Sequence, residues 1–345
     1  MGISHKLTAF ALASSLVFTT TSAYAYKVGI AMPYQAEAHW YEQGFNLEKM
    51  LKAKGYETIL MFGGDADVSL QQKQLVRMVE KENVDAMIVA SIDGGALVDA
   101  LKPALEKHIP VISYDRLVTD TDAVTYYDTF DNEMAGALQG KYLIKALHPS
   151  TQNPVNIEVF HGSLDDNNAQ YFYKGAFKVM YPYLMNGSIV IKSGEKSPED
   201  TNIPGWSTDL SNKRMGALLE KVGYGPKDGQ VKLHGILSPA DCISLGVITA
   251  LKKAGYTKDN FPVITGQDAT PDAIQAIRDG YMGMTVYKSP KELASHAIKM
   301  LDEISHNQKV EVNDTETYNN GVKDMQSYLC VPKEVTIDNI DTYMN

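Results

Sequence analysis

The sequence predicts an α/β fold of two doubly wound parallel-sheet lobes, on three observations. Short apolar runs alternate with amphipathic stretches along nearly the whole chain. Those runs lack the polar alternation of a half-exposed strand, so the strands are covered on both faces. The alternation also comes in two similar blocks within 345 residues, a length that exceeds one ordinary compact core.

The first block starts with VGIAM at 28–32, then a helical pattern over 40–54 closed by Gly55. ETILMF, a helix over 69–83, DAMIVAS, a helix over about 96–107 and VISY at 111–114 follow, giving βαβαβαβ. The stretch TYYDTFDNEMAGALQGKYL has no Gly/Pro/Ser linker, so a short ordered strand should lead directly into a helix. The second block runs VNIEVF, a helix over about 168–181, SIVIK, a helix over about 210–222, KLHGILS, a helix over 242–254 and PVIT. A further segment at 271–280, the strand GMTVY and a helix over 290–305 exceed the needs of one lobe. The chain should therefore cross back, several short segments forming a hinge. The expected lobes are 26–132 with about 270–308, and 133–269 with about 309–345.

Residues 1–25 form a separate unit. Lys6 precedes an apolar stretch from Leu7 to Phe18, a Thr-rich run follows, and the segment ends Ala23-Tyr24-Ala25. That is the pattern of a cleavable export signal, too short for a membrane span. Cleavage after Ala25 would release the rest of the chain as an exported protein.

The net charge is −10, and the leader carries one Lys and no acid. A surface of that sign repels phosphate backbones, which argues against a nucleic-acid partner. With 44% hydrophobic and 21% charged residues, neither disorder nor a membrane-embedded chain is indicated. The two cysteines, Cys242 and Cys330, could form a disulfide in an oxidising compartment or remain two buried thiols.

Polar residues gather where the strands should end. ASIDG brings Asp93, SYDRL Asp115 and Arg116, SLDDNN Asn167 and Asn168, LSPAD Asp241, and TGQDA Gln267 and Asp268. Open parallel sheets bind ligands in the crevice outside those ends. VISYDRL raises the question most sharply, because a strand suited to a core ends in an acid beside a base. A carboxylate accepts several hydrogen bonds and a guanidinium donates up to five, which suits vicinal hydroxyls such as a sugar carries. Each acid also suits a helix cap, Asp241 above all, since a helix follows it directly. Trp40 after the first strand and Trp206 in SPEDTNIPGWSTD offer faces for the apolar side of a sugar ring. His39 beside Trp40, and Lys288 in TVYKSP, could add donors.

Catalytic and metal patterns are absent. The chain has no G-x-S-x-G, H-E-x-x-H, P-loop or G-x-G-x-x-G after its first strand, and its eight His lack ligand spacing. The run around Asp65 and Asp67 lacks the Gly and terminal Glu of an EF-hand loop. No cofactor or metal is expected.

The runs HWYEQGFN, VASIDGGAL, PVISYDRL, YYDTFDNEMAG, GSLDDNNAQYFYKGA, LSPAD, GQDA, TVYKSPKELA and VNDTETYNNGVK resemble the periplasmic sugar-binding proteins of bacterial ABC importers. They are most similar to the multiple-monosaccharide-binding and xylose-binding members. The resemblance spans the chain after the leader. It implies two lobes joined by three crossings and closing on one monosaccharide, which is passed to a membrane permease. The same closed surface would be open to a chemoreceptor or a sensor kinase. Carried over by position, Trp40 and Trp206 would stack on the sugar, while Asp93, Asp115, Arg116, Asn168, Asp268 and Lys288 would hold its hydroxyls, with Asn167 and Asp241 as further candidates. Several relatives have Arg immediately before the first Trp, where this chain has His39, so the identity of the sugar does not carry over. Lactose-repressor-type proteins share this fold but begin with a helix-turn-helix, where this chain has a leader. The alternatives are a secreted carbohydrate-processing enzyme and a sugar-sensing domain without transport.

Overall fold

The computed structural model describes residues 25–35, 38–64 and 67–343, except for the side chains at 38 and 39. The leader, apart from Ala25, therefore lies outside the described residues.

Along the chain, β1 (Lys27–Met32), α1 (Ala38–Ala53), β2 (Glu57–Phe62), α2 (Val68–Glu80), β3 (Ala86–Val89), α3 (Val98–Glu106), β4 (Val111–Tyr114) and β5 (Val124–Phe130) come first. Next are α4 (Asn132–Leu147), β6 (Val155–Val159), α5 (Asn167–Met185), β7 (Ile189–Ile191), α6 (Pro198–Thr201), α7 (Thr208–Val222), β8 (Gly235–Leu237), α8 (Asp241–Lys253) and β9 (Val263–Ile264). The last elements are α9 (Pro271–Arg278), β10 (Met284–Tyr287), α10 (Pro290–Ser305), β11 (Ser327–Cys330), β12 (Lys333–Thr336) and α11 (Ile340–Tyr343).

Two parallel sheets result, in the orders β11-β5-β4-β3-β1-β2 and β7-β6-β8-β9, with β10 and β12 as an antiparallel pair. Ile30 on β1 lies in register with Leu60 on β2 and Ile88 on β3. Successive side chains leave opposite faces of the first sheet. Val28, Ile30 and Met32 join Leu47, Leu51, Ile298 and Leu301, whereas Ala31, Met87 and Val89 join Leu75, Met78 and Leu101. Each fully buried Leu or Ile contributes roughly 1.5–3 kcal/mol, which is why unbroken apolar runs settle between two helical layers. The predicted architecture is present.

The lobe membership of the late segments differs from the expectation. Ala273, Ile274 and Ile277 of α9 pack with Ile264 and Met282 in the second lobe, so 271–287 belongs there rather than with the first. Val310 and Cys330 lie in the first-lobe core, and β11 extends the first sheet beside β5. Burial decides this. The apolar face of α9 matches the second core, and the open edge of β5 is the site that accepts another parallel strand. The chain passes between lobes three times, at 130–132, 287–290 and 330–333.

Helices α4 and α5 pack closely in the second lobe. Asp131 caps α4 by accepting from Met134 N at 2.8 Å. A Cβ at Gly136 would overlap the Phe172 carbonyl, and one at Gly175 would overlap that of Glu133. Two backbones thus meet where only glycine fits, and this contact fixes the height of α5 beside the gap. We expect Gly136→Ala to cost about 1–3 kcal/mol, read as a lower urea midpoint with unchanged slope. A midpoint equal to that of the unmodified protein would show that the helices do not meet this way.

Candidate functional site

Strand β4 is wholly buried, and the chain must turn sharply where it ends. Arg116 N donates to Tyr114 O at 2.7 Å, Ser113 Oγ donates to Arg116 O, and Asp115 takes φ 59°. Asp is among the few residues that occupy this left-handed region readily. The neighbouring acid and base then diverge, each toward the opposite lobe. Asp115 O accepts from Thr129 Oγ1 at 2.9 Å and from Asn168 Nδ2 at 3.0 Å, and its Oδ1 lies 3.3 Å from the same amide. The Tyr127 hydroxyl sits 2.6 Å from that carbonyl and 2.9 Å from Asn168 Oδ1.

Arg116 Nε pairs with Asp166 Oδ2 at 3.1 Å, while Nη1 donates to Tyr34 Oη and reaches the Ser91 and Ile92 carbonyls. The guanidinium carbon lies 5.3 Å from the ring centroids of both Tyr34 and Trp40, within cation–π reach. Burial alone would lower its pKa, but Asp166 and then Tyr34 more than offset that. Arg116 therefore stays charged.

The second lobe supplies the facing wall. Asp166 is the N-cap of α5, accepting from Asn168 N at 2.9 Å. Asn168 and Phe172 lie one helical turn apart, so both reach the same gap. Trp206, at φ 56°, stands over Gly162, where a Cβ would overlap the indole, and meets Phe172 edge-on at 6.4 Å. Lys288 Nζ lies 3.5 Å from Asp268 Oδ1 and 5.4 Å from the Phe172 ring centroid. Burial lowers the Lys288 pKa, and the nearby Asp115, Asp268 and Asp166 outweigh it. Three of these residues immediately precede, or themselves form, a helix start: Asp166 caps α5, Trp206 precedes the Ser207 cap of α7, and Lys288 precedes the Ser289 cap of α10.

Together these groups enclose a cavity of about 190 Å³, below the ~300–1,000 Å³ of pockets for drug-sized ligands. Trp40, Asp115, Arg116, Asn168, Trp206, Asp268 and Lys288, all named from the sequence, line it. So does Gln267, whose Oε1 is buried without a protein partner, as is Trp206 Nε1. Buried polar atoms in a cavity wall need a partner from outside the protein. No group of three or more His, Cys, Asp or Glu that could hold a metal occurs among the described residues.

The other candidates lie elsewhere. Asp93 accepts from Gly95 N at 3.0 Å and borders a separate surface hollow, with Asn167, on the far side of Asp166. Asn167 opens α5, its Oδ1 bonded to Gln170 Nε2. Asp241 is fully buried beneath the cavity floor, accepting from Thr270 N and Thr285 Oγ1, both at 2.8 Å. It anchors the loop that carries Asp268 to the crossing strand β10. The side chain of His39 lies outside the described residues. No disulfide links Cys242, which borders the cavity, to Cys330 in the first-lobe core. Sequence reading missed Tyr34, Asp166, Phe172 and Thr270 as cavity residues. Phe172 was legible as the residue one turn after Asn168, and Asp166 as the cap two residues before it.

A family model described as periplasmic binding protein domain matches residues 28–309. The chain is 40% identical over 315 residues to the multiple sugar-binding periplasmic protein SbpA of Azospirillum brasilense, covering 90% of this chain and 86% of that one. It is 38% identical over 317 residues to the multiple sugar-binding periplasmic receptor ChvE of Rhizobium radiobacter, covering 91% and 88%. The crystal structure of an ABC transporter solute-binding protein from Clostridium phytofermentans with bound β-D-glucose superposes with a TM-score of 0.86 at 37% identity, over 92% of this chain and 96% of that one.

Burial, reinforced by the charge of Asp268, pushes the Asp241 carboxyl up to about 8. Its ordinary value is near 4, so between those limits the folded protein holds a proton that the unfolded chain releases. Stability from this group therefore falls as pH rises from about 4 to about 8. Asp241→Asn keeps an acceptor for Thr270 N and removes the titration. We expect its melting temperature to drop less than that of the unmodified protein between pH 5 and pH 8; parallel profiles would refute a neutral Asp241.

Proposed function

Because the chain belongs to the periplasmic binding protein family, we propose that it captures one monosaccharide between its lobes in the periplasm and delivers it to an ABC-transporter permease. Members of this family and the relatives named above are binding proteins, not enzymes. The observation that carries the sugar reading is the cavity itself. Two tryptophans border it together with carboxylates, a guanidinium, an ammonium and amides drawn from both lobes. Hydroxyls both donate and accept, so they can satisfy this mixed lining, while the C–H faces of a pyranose or furanose suit the indoles. That the Clostridium protein holds β-D-glucose on the same fold supports it.

Capture works by closure. Arg116–Asp166 and Asp115–Asn168 bridge the two lobes directly, so the form described here is closed. A sugar that touches both walls stabilises this form over an open one by its differential affinity alone. The closed outer surface is then what a permease reads. Export by a signal cleaved after Ala25 completes the reading.

A thermal-shift screen of residues 26–345 against pentoses and hexoses tests this. The best sugar at about a hundred times its Kd should stabilise the fold by about 2.7 kcal/mol, visible as a clear rise in the midpoint. No rise with any monosaccharide would refute capture. Trp206→Ala should weaken that sugar at least about tenfold through loss of ring contact, with the unliganded circular dichroism unchanged. Undiminished affinity would remove Trp206 from the site.

A further inference from the structure

A second hollow, of about 350 Å³, opens between the lobes on the far side of Asp166. Asp93 of the first lobe and Asp165, Asp166 and Glu199 of the second line it, and no Lys or Arg does. Of these acids only Asp166 forms an ion pair among the described residues, with Arg116. The unmet hydrogen-bonding groups in the wall point to a ligand. His161 is 2% exposed, lines the hollow, and leaves Nε2 without a protein partner. Its Nδ1 lies 2.9 Å from the Gly162 carbonyl, which only accepts, so the proton sits on Nδ1 and Nε2 is an acceptor. Burial pushes the His161 pKa down, which keeps the ring uncharged at neutral pH. Asn167 Nδ2, in the same wall, is a buried donor without a partner. The wall therefore calls for a cation rich in donors, with an acceptor beside it.

We propose that this hollow docks an arginine side chain presented by a loop of the permease, with the loop's own backbone meeting Asn167. This rests on the capture reading, which supplies the partner, and adds where and by what chemistry that partner recognises closure. A guanidinium offers five donors in a planar fork, enough to serve His161 Nε2 together with the unpaired carboxylates. Leu164, 54% exposed at the hollow, covers the aliphatic stem that carries it. A peptide carbonyl gives Asn167 the acceptor it lacks, which a bare cation does not, so the occupant is a protein segment. Asp93 and the other acids stand on different lobes and face one another only when the cleft is shut. The docking point is therefore absent from an open form.

The probe is the peptide acetyl-Gly-Arg-Gly-amide, with citrulline in place of arginine as its uncharged isostere. Each is titrated into isotope-labelled protein saturated with its best sugar and read by NMR. The arginine peptide should saturably shift the His161 Nε2 resonance and the backbone amides of Gly94, Gly95 and Asn167, and the citrulline peptide should bind at least about fivefold more weakly. No saturable shift there, shifts spread over the whole surface, or equal binding of the two peptides overturns the proposal. Asp165→Asn combined with Glu199→Gln changes only exposed side chains. It should weaken the arginine peptide at least about threefold, keep the sugar Kd within about twofold, and slow sugar uptake at least about fivefold in cells that carry the permease. Uptake at the unmodified rate overturns docking at this hollow, and a sugar Kd weakened in step assigns the acids to capture and overturns it too. If no sugar binds, or the unmodified protein supports no uptake, it is capture or delivery that fails, and the peptide titration on the unliganded protein still decides the hollow.

Discussion

A buried ion pair across the gap, Arg116 with Asp166, sets the terms for the rest of the structure. Removing two charges from water is costly, and Coulomb attraction alone seldom repays it. Here the guanidinium gains three further acceptors and two aromatic faces in the first lobe. Its partner is held in place as the cap of α5. The pair therefore fixes the distance between the lobes and the orientation of Trp40 at once. It also explains why a core strand ends in an acid beside a base. Asp115 and Arg116 do not neutralise each other; the turn at φ 59° sends each to its own partner in the other lobe.

Capping and recognition use the same residues rather than competing for them. In a parallel α/β sheet every strand ends where a helix is about to start, so cap residues and cavity residues are neighbours. Asp166 does both jobs, and Trp206 and Lys288 each stand one position before a cap. The backbone is bent to suit. Asp115, Trp206, Asp268 and Ala269 all have positive φ around one small cavity, a concentration of backbone strain typical of ligand sites. Gly162 makes room for the Trp206 indole. Below this layer Asp241 joins Thr270 of the cavity wall to Thr285 and so holds the Asp268 loop against the strand crossing between lobes.

The sequence by itself determined the alternation of strands and helices, because apolar runs and amphipathic stretches report burial residue by residue. It also picked out most of the loops that line the cavity, since strand ends are legible wherever polar residues interrupt an apolar run. It could not rank the acids within those loops. Asp93, Asp166 and Asp241 look alike as letters, yet one caps a turn at a separate hollow, one pairs with Arg116, and one lies beneath the floor. Local dihedral angles and the packing of the opposite lobe choose among them. Likewise no local pattern told β11 to join β5 after some two hundred intervening residues, or α9 to stay with the second lobe. An open sheet edge and a matching apolar face decide such docking, and both exist only once the rest of the chain has folded.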